Sequence, residues 1–148
     1  AGEQASDKGS LQHAFLRPRP RVSLGEQLRG VASAAIDISD GLMADVEHVA
    51  VSSGLAARID RQRVPLSQAL VAEFGEAEAL NLALTGGDDY ELCFCAPPTE
   101  SERIMAIAGQ LRLPVSCIGC MQEGAEANLY DDEGRVVPVS RAKGYQHF

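Results

Sequence analysis

Lysine is nearly absent from this chain: Lys8 and Lys143 are the only two in 148 residues. Acids outnumber Lys and Arg by 21 to 13, leaving a net charge of −8. Affinity for nucleic acid comes largely from basic side chains on phosphates, so this balance argues against nucleic acid as a partner. No apolar run approaches the ~18 residues of a membrane span. The first residues carry no basic stretch followed by an apolar one, as a secretory signal would, and the expected location is the cytoplasm. Neither GxxxxGK[ST] nor GxGxxG occurs, which removes two common phosphate cradles. His13, His48 and His147 are scattered without a marked nucleophile, so no serine triad is evident, and His48 reads as an ordinary surface or boundary histidine.

What is present describes a globular domain. Apolar residues make up 45% and charged residues 23%, and the length is enough to bury a core without staples. The one basic cluster, Arg17, Arg19 and Arg21 in "RPRPR", is interleaved with proline and reads as a solvated, extended arm. Four cysteines fall into a CxC (Cys93, Cys95) and a CxxC (Cys117, Cys120). Such spacing can be drawn as a zinc site, but both pairs sit among strand-like residues, where cysteine behaves as a small buried hydrophobe.

The pattern along the chain predicts one α+β domain. Residues 1–16 lack a clear period and read as a linker. "SLGEQLRG" suggests a short helical turn from Ser23. "ASAAIDI" alternates, with Ala34, Ile36 and Ile38 on one face of a strand. A helix is expected from Asp40 to Ser53, with Leu42, Val46, Val49 and Ser53 along its apolar stripe and Gly54 as its stop. "AARID" is a strand, and "PLSQALVAEFG" and "EAEALNLAL" are two helices parted by Gly75. In the strand after "TGGDD", Tyr90, Leu92, Phe94 and Ala96 share a face. Thr99 and Glu102 form a capping-box pattern before a helix bearing Ile104, Ala108 and Leu111. "PVSCIGCM" is a further strand, and "ANLYDDEGRVVPV" a hairpin turning at Asp132-Glu133-Gly134.

Two acidic junctions carry the functional signal. In "AAIDISDGLMADVEHV", Asp37 and Asp40 flank a strand-to-helix transition with Ser39 between them. Helix capping by Ser39 or Asp40 accounts for one of these acids, with Asp45 and Glu47 favourable to the helix dipole. Asp37 is left over, since a carboxylate in an apolar strand is costly unless a cation or donors satisfy it. A Mg²⁺ site explains both, because that ion takes carboxylates together with substrate phosphate oxygens. Local chemistry leaves capping and metal binding both open. The second junction, "GGDDYEL", places Asp88, Asp89 and Glu91 after a glycine pair. A plain Gly-Gly turn is its alternative reading.

Taken together, "RPRPRVSLG", "IDISDGLMADVEHV", "LTGGDDYELCF" and the terminal "GYQHF" resemble the C-terminal domain of the thiamine-monophosphate kinases, within the superfamily of aminoimidazole ribonucleotide synthetase-like, ATP-using proteins. The resemblance implies an α/β/α layered α+β fold with a mixed or antiparallel sheet, partly ferredoxin-like. It implies transfer of the γ-phosphoryl of ATP to thiamine monophosphate, giving thiamine diphosphate. By the same resemblance Asp37 and Asp40 would be Mg²⁺ ligands and Ser39 would contact ATP. Asp88, where the family usually has glutamate, would contact the thiamine substrate, and Tyr145 would stack on it. Residues 1–16 would then be the connection from an N-terminal domain and 17–148 the C-terminal kinase domain, inactive alone, with a homodimeric full enzyme. Two rivals stand beside this: another member of the superfamily with a different acceptor, and a non-catalytic small-molecule binding module.

Overall fold

The computed structural model describes residues 11–139. A short helix, α1 (Val22–Gln27), leads to strand β1 (Ala34–Asp37), helix α2 (Leu42–Ser52) and strand β2 (Ala56–Asp60). Helices α3 (Gln68–Phe74) and α4 (Glu76–Thr85) follow, broken at Gly75, then strand β3 (Leu92–Cys95) and helix α5 (Ser101–Leu111). Strands β4 (Gly119–Gln122), β5 (Ala127–Tyr130) and β6 (Val136–Val137) complete the described part.

The strands form two sheets. One is an antiparallel ribbon of β1 and β3, with Asp37 opposite Leu92 and Ile36 opposite Cys93. The other has the order β4-β2-β5-β6, in which only the β2–β5 pair is parallel. Alternation decides how each packs, because successive side chains on a strand point to opposite faces. In the larger sheet Ala57, Ile59, Ala127 and Leu129 face a core shared with Met43, Val46 and Ala50 of α2 and Leu80 and Leu84 of α4. Ile59 is buried almost completely, worth about 1.5–3 kcal/mol relative to exposure. On the opposite face Arg58 stacks over the Tyr130 ring at 4.2 Å and pairs with Asp60.

The ribbon uses both of its faces. Cys93 points to the core with α2, while Leu92 and Phe94 join Leu24, Leu28, Val31 and Ile107 in a second cluster under α1 and α5. Helices thus cover both sides of the ribbon, giving the expected α/β/α layering, and the four-stranded sheet adds a further layer beyond α2.

Several local expectations shift. Helix α2 begins at Leu42, not Asp40; its N-cap is Gly41, and neither Ser39 nor Asp40 caps it with its side chain. Its buried face is Met43, Val46 and Ala50; Val46 lies where expected and Leu42 packs half-buried against the same core, but Val49 is only half-buried and Ser53 is exposed. The Thr99–Glu102 capping box does not form: a 3₁₀ turn at Pro98–Glu100 delays α5 to Ser101, and no side chain caps it. Proline suits the start of such a turn and there displaces the box. The hairpin turn lies where expected, with the Asp131 carboxylate accepting from the amides of Glu133 and Arg135.

Candidate functional site

The two acidic junctions meet backbone to backbone. Antiparallel pairing continues past the ends of β1 and β3: the Ile38 amide donates to the Glu91 carbonyl at 2.9 Å, and the Tyr90 amide to the Ile38 carbonyl at 2.8 Å. One step further, the Asp88 amide donates to the Ser39 carbonyl at 2.9 Å. Glycine permits this approach. A β-carbon at Gly87 would sit 2.4 Å from the Ser39 oxygen, and one at Gly41 would sit 2.9 Å from the Thr85 carbonyl carbon. Gly41 also has φ +108°, a conformation side-chain-bearing residues rarely take.

Asp45 holds the first loop from beneath. It is buried, and its Oδ2 accepts the amides of Ser39 at 2.9 Å and Asp40 at 3.0 Å. From its place in the sequence Asp45 has only a favourable position near the helix dipole. A first-turn carboxylate reaching back to loop amides follows capping-box logic, and that spacing was the available signal. With those amides satisfied, the Asp40 side chain stands exposed, its Oδ1 accepting from Ser39 Oγ at 3.4 Å.

Asp37 needs no buried cation to excuse it. It is exposed, on the face of β1 opposite Ile36 and Ile38, so the expected desolvation cost does not arise. Its surroundings are a cavity of about 470 Å³ lined by Pro18, Pro20 and Arg21 on one side and Asp37, Tyr90 and Glu91 on the other. Among the described residues neither Asp37 nor Asp40 is in an ion pair. Two exposed carboxylates outside any such pair are hard oxygen donors of the kind Mg²⁺ takes, so the residues fit that ion. Among the described residues the ligating side chains that come together are, however, Asp40, Asp45 and His48, whose ligand atoms lie within 4.8 Å; Asp37 is not among them.

The second loop is strained. Asp88 has φ 65° and Tyr90 φ 51°, and the left-handed region is unusual for a residue as bulky as tyrosine. The Tyr90 hydroxyl donates to Asp88 Oδ1 at 3.0 Å, which, with the charges of Asp88 and Asp37 and slight desolvation, raises its pKa. The Asp89 carboxyl is also pushed up, first by desolvation and then by Glu91 and Asp88. Arg21 reaches this loop from the proline arm: Nε and Nη2 bond the two Glu91 oxygens at 2.7 and 2.5 Å. Arg17 and Arg19 are exposed as expected, but Arg21 is not a solvated arm residue. Tyr145 lies outside the described residues.

The cysteines are free thiols, Cys93 and Cys95 in the ribbon, Cys120 in the larger sheet and Cys117 just before it, and among the described residues they form no metal-ligating group. Cys93 and Cys95 are half-buried in β3; Cys117 and Cys120 are exposed, contrary to the expectation of burial, because β4 begins only at Gly119 and Cys120 is on the open face.

The chain belongs to the AIR synthase related protein, C-terminal domain family, whose model matches residues 3–132. It is 41% identical over 145 residues to a thiamine-monophosphate kinase of Salmonella typhimurium, covering 98% of this chain and 44% of that one. A crystal structure of the thiamine-monophosphate kinase of Stenotrophomonas maltophilia K279a superposes with a TM-score of 0.83 at 42% identity, covering 89% of this chain and 41% of that one. AaThiL complexed with AMPPCP and TMP superposes with a TM-score of 0.73 at 31% identity, over 96% of this chain and 42% of that one. The chain spans less than half the length of these relatives.

Proposed function

We propose that this chain supplies the C-terminal part of a thiamine-monophosphate kinase, using ATP and Mg²⁺ to convert thiamine monophosphate to thiamine diphosphate. The observation that carries the reading is the backbone contact between the Ser39–Asp40–Gly41 loop and the Gly86–Gly87–Asp88 loop, in a chain that superposes along 96% of its length on a relative holding an ATP analogue and TMP.

In this reaction an oxygen of the acceptor phosphate bonds to the γ-phosphorus of ATP as the bond to the β,γ-bridging oxygen breaks, releasing ADP. The transition state asks for positioning and charge stabilisation rather than covalent chemistry from the protein. Mg²⁺ bound here would supply positive charge to offset that of the phosphates. Asp37 and Asp40 would hold it; both are exposed and outside any ion pair among the described residues. Ser39 would contact ATP from the loop that Asp45 pins. Asp88 would contact the thiamine substrate, its left-handed backbone held by the Ser39 carbonyl. Tyr145 is proposed as the stacking aromatic. An N-terminal domain would complete the site, residues 1–16 would lead from it, and the full enzyme would be a cytoplasmic homodimer. Among the described residues no helix is long and apolar enough to cross a membrane.

The test is thiamine diphosphate formation from thiamine monophosphate, ATP and Mg²⁺, run with this chain alone and with the product of the whole reading frame that encodes it. Activity in the latter supports the proposal. Binding of ATP without use of thiamine monophosphate would indicate a different acceptor, and no binding at all a different role.

A further inference from the structure

The bidentate pair of Arg21 and Glu91 joins two segments that share no secondary structure: the proline arm before α1 and the strained loop before β3. Both residues line the cavity that also takes in Asp37 and Tyr90. The Arg21 side chain is 25% exposed and that of Glu91 55%. Ion pairs this open to water contribute little to global stability. Their two parallel N–H···O bonds, by contrast, define a direction that a single point contact does not. The Glu91 carbonyl receives the Ile38 amide, next to Asp37, and three residues upstream the Asp88 amide is tied to Ser39. Between them Tyr90 is held at φ 51°, a conformation that persists only when its surroundings enforce it.

We propose that Arg21 is a positioning residue: through Glu91 it holds the 88–91 loop in its left-handed form and so sets Asp88 and Tyr90 against Asp37. The inference rests on the proposed function for its substrate, and one of its two readouts does not. Glu91 is a solvent-accessible carboxylate, and its fork to Arg21 couples the arm to the loop. Arg21→Lys keeps the charge and loses the fork; Arg21→Glu with Glu91→Arg restores a pair of reversed sense.

The experiment uses the product of the whole reading frame. First, hydrogen exchange at the Asp88 and Tyr90 amides is compared between wild type and Arg21→Leu, with urea unfolding to check stability. Exchange about tenfold faster at these amides, with the unfolding midpoint nearly unchanged, is expected; unchanged exchange overturns the inference whatever the substrate proves to be. Second, in wild type that turns over thiamine monophosphate, Arg21→Leu should raise KM for that substrate about tenfold and KM for ATP less than twofold. Arg21→Lys should fall between, and the charge-reversed double variant should recover most of the loss. An equal loss on both substrates, or a double variant no better than the singles, overturns it. Wild type without turnover defeats the function reading alone, and the exchange measurement still decides this one.

Discussion

The carbonyl oxygen of Ser39 lies 2.4 Å from the place a β-carbon on Gly87 would occupy, and it accepts the amide of the next residue, Asp88, at 2.9 Å. Two loops far apart in sequence are locked together at a point where only hydrogen fits. Gly87→Ala is therefore expected to destabilise the protein by about 2 kcal/mol, in the range of overpacking changes, since the obstacle is backbone and cannot rotate away. Urea unfolding measures it. A loss under about 0.5 kcal/mol would mean the loops part easily and that their contact is not what organises the site.

Asp45 supplies the next expectation. Its buried carboxylate serves two amides, and hydrogen bonds to a charged group are the stronger kind. Asp45→Ala should cost about 3 kcal/mol, because both amides lose their acceptor and a gap is left. Asp45→Asn keeps an oxygen in place and should cost about 1 kcal/mol. Equal losses for the two would show that the negative charge, rather than the volume or a retained oxygen, is what the two amides require.

Asp37 and Asp40 should behave in the opposite way. Both are exposed, so Asp37→Asn and Asp40→Asn are expected to change stability by no more than about 0.5 kcal/mol. Each should abolish Mg²⁺-dependent turnover in the product of the whole reading frame. Turnover that survives both changes would remove the metal role and leave these acids as loop residues.

Burial pushes the Cys93 thiol from its ordinary 9.0 to about 11, with the neighbouring Cys95 and Asp45 adding to the shift. A folded-state pKa above the unfolded one means the stabilisation is intact below about pH 9 and is lost as pH rises toward about 11, by about 2–3 kcal/mol in all. Stability measured across that range in wild type and Cys93→Ala should show the decline flattened in the variant. In the same window alkylation should reach the exposed Cys117 and Cys120 well before Cys93.

The order of helices and strands was readable from periodicity and punctuation, as the Gly75 break and the Asp132–Gly134 turn show. Boundaries failed where backbone geometry intervened. Gly41 took the cap that Ser39 and Asp40 were expected to fill, and Pro98 opened a 3₁₀ turn where a capping box was written. Asp37 was expected to be costly without a partner, and it is not, because a strand pattern does not say which face meets solvent. Asp45 was undervalued because its capping-box spacing does not say that the carboxylate reaches back past the cap to the amides of Ser39 and Asp40.

By itself the sequence determined the fold class, the two acidic, glycine-marked junctions and the family they resemble, since these depend on local composition and spacing. Tertiary structure alone decided that the junctions touch, that Asp45 is buried beneath one, that Arg21 is fastened to Glu91, and that the strands divide into a ribbon and a separate four-stranded sheet. The reason is physical: pairing between distant segments is selected by how side chains fill a shared core, and single-segment patterns carry no record of their partner.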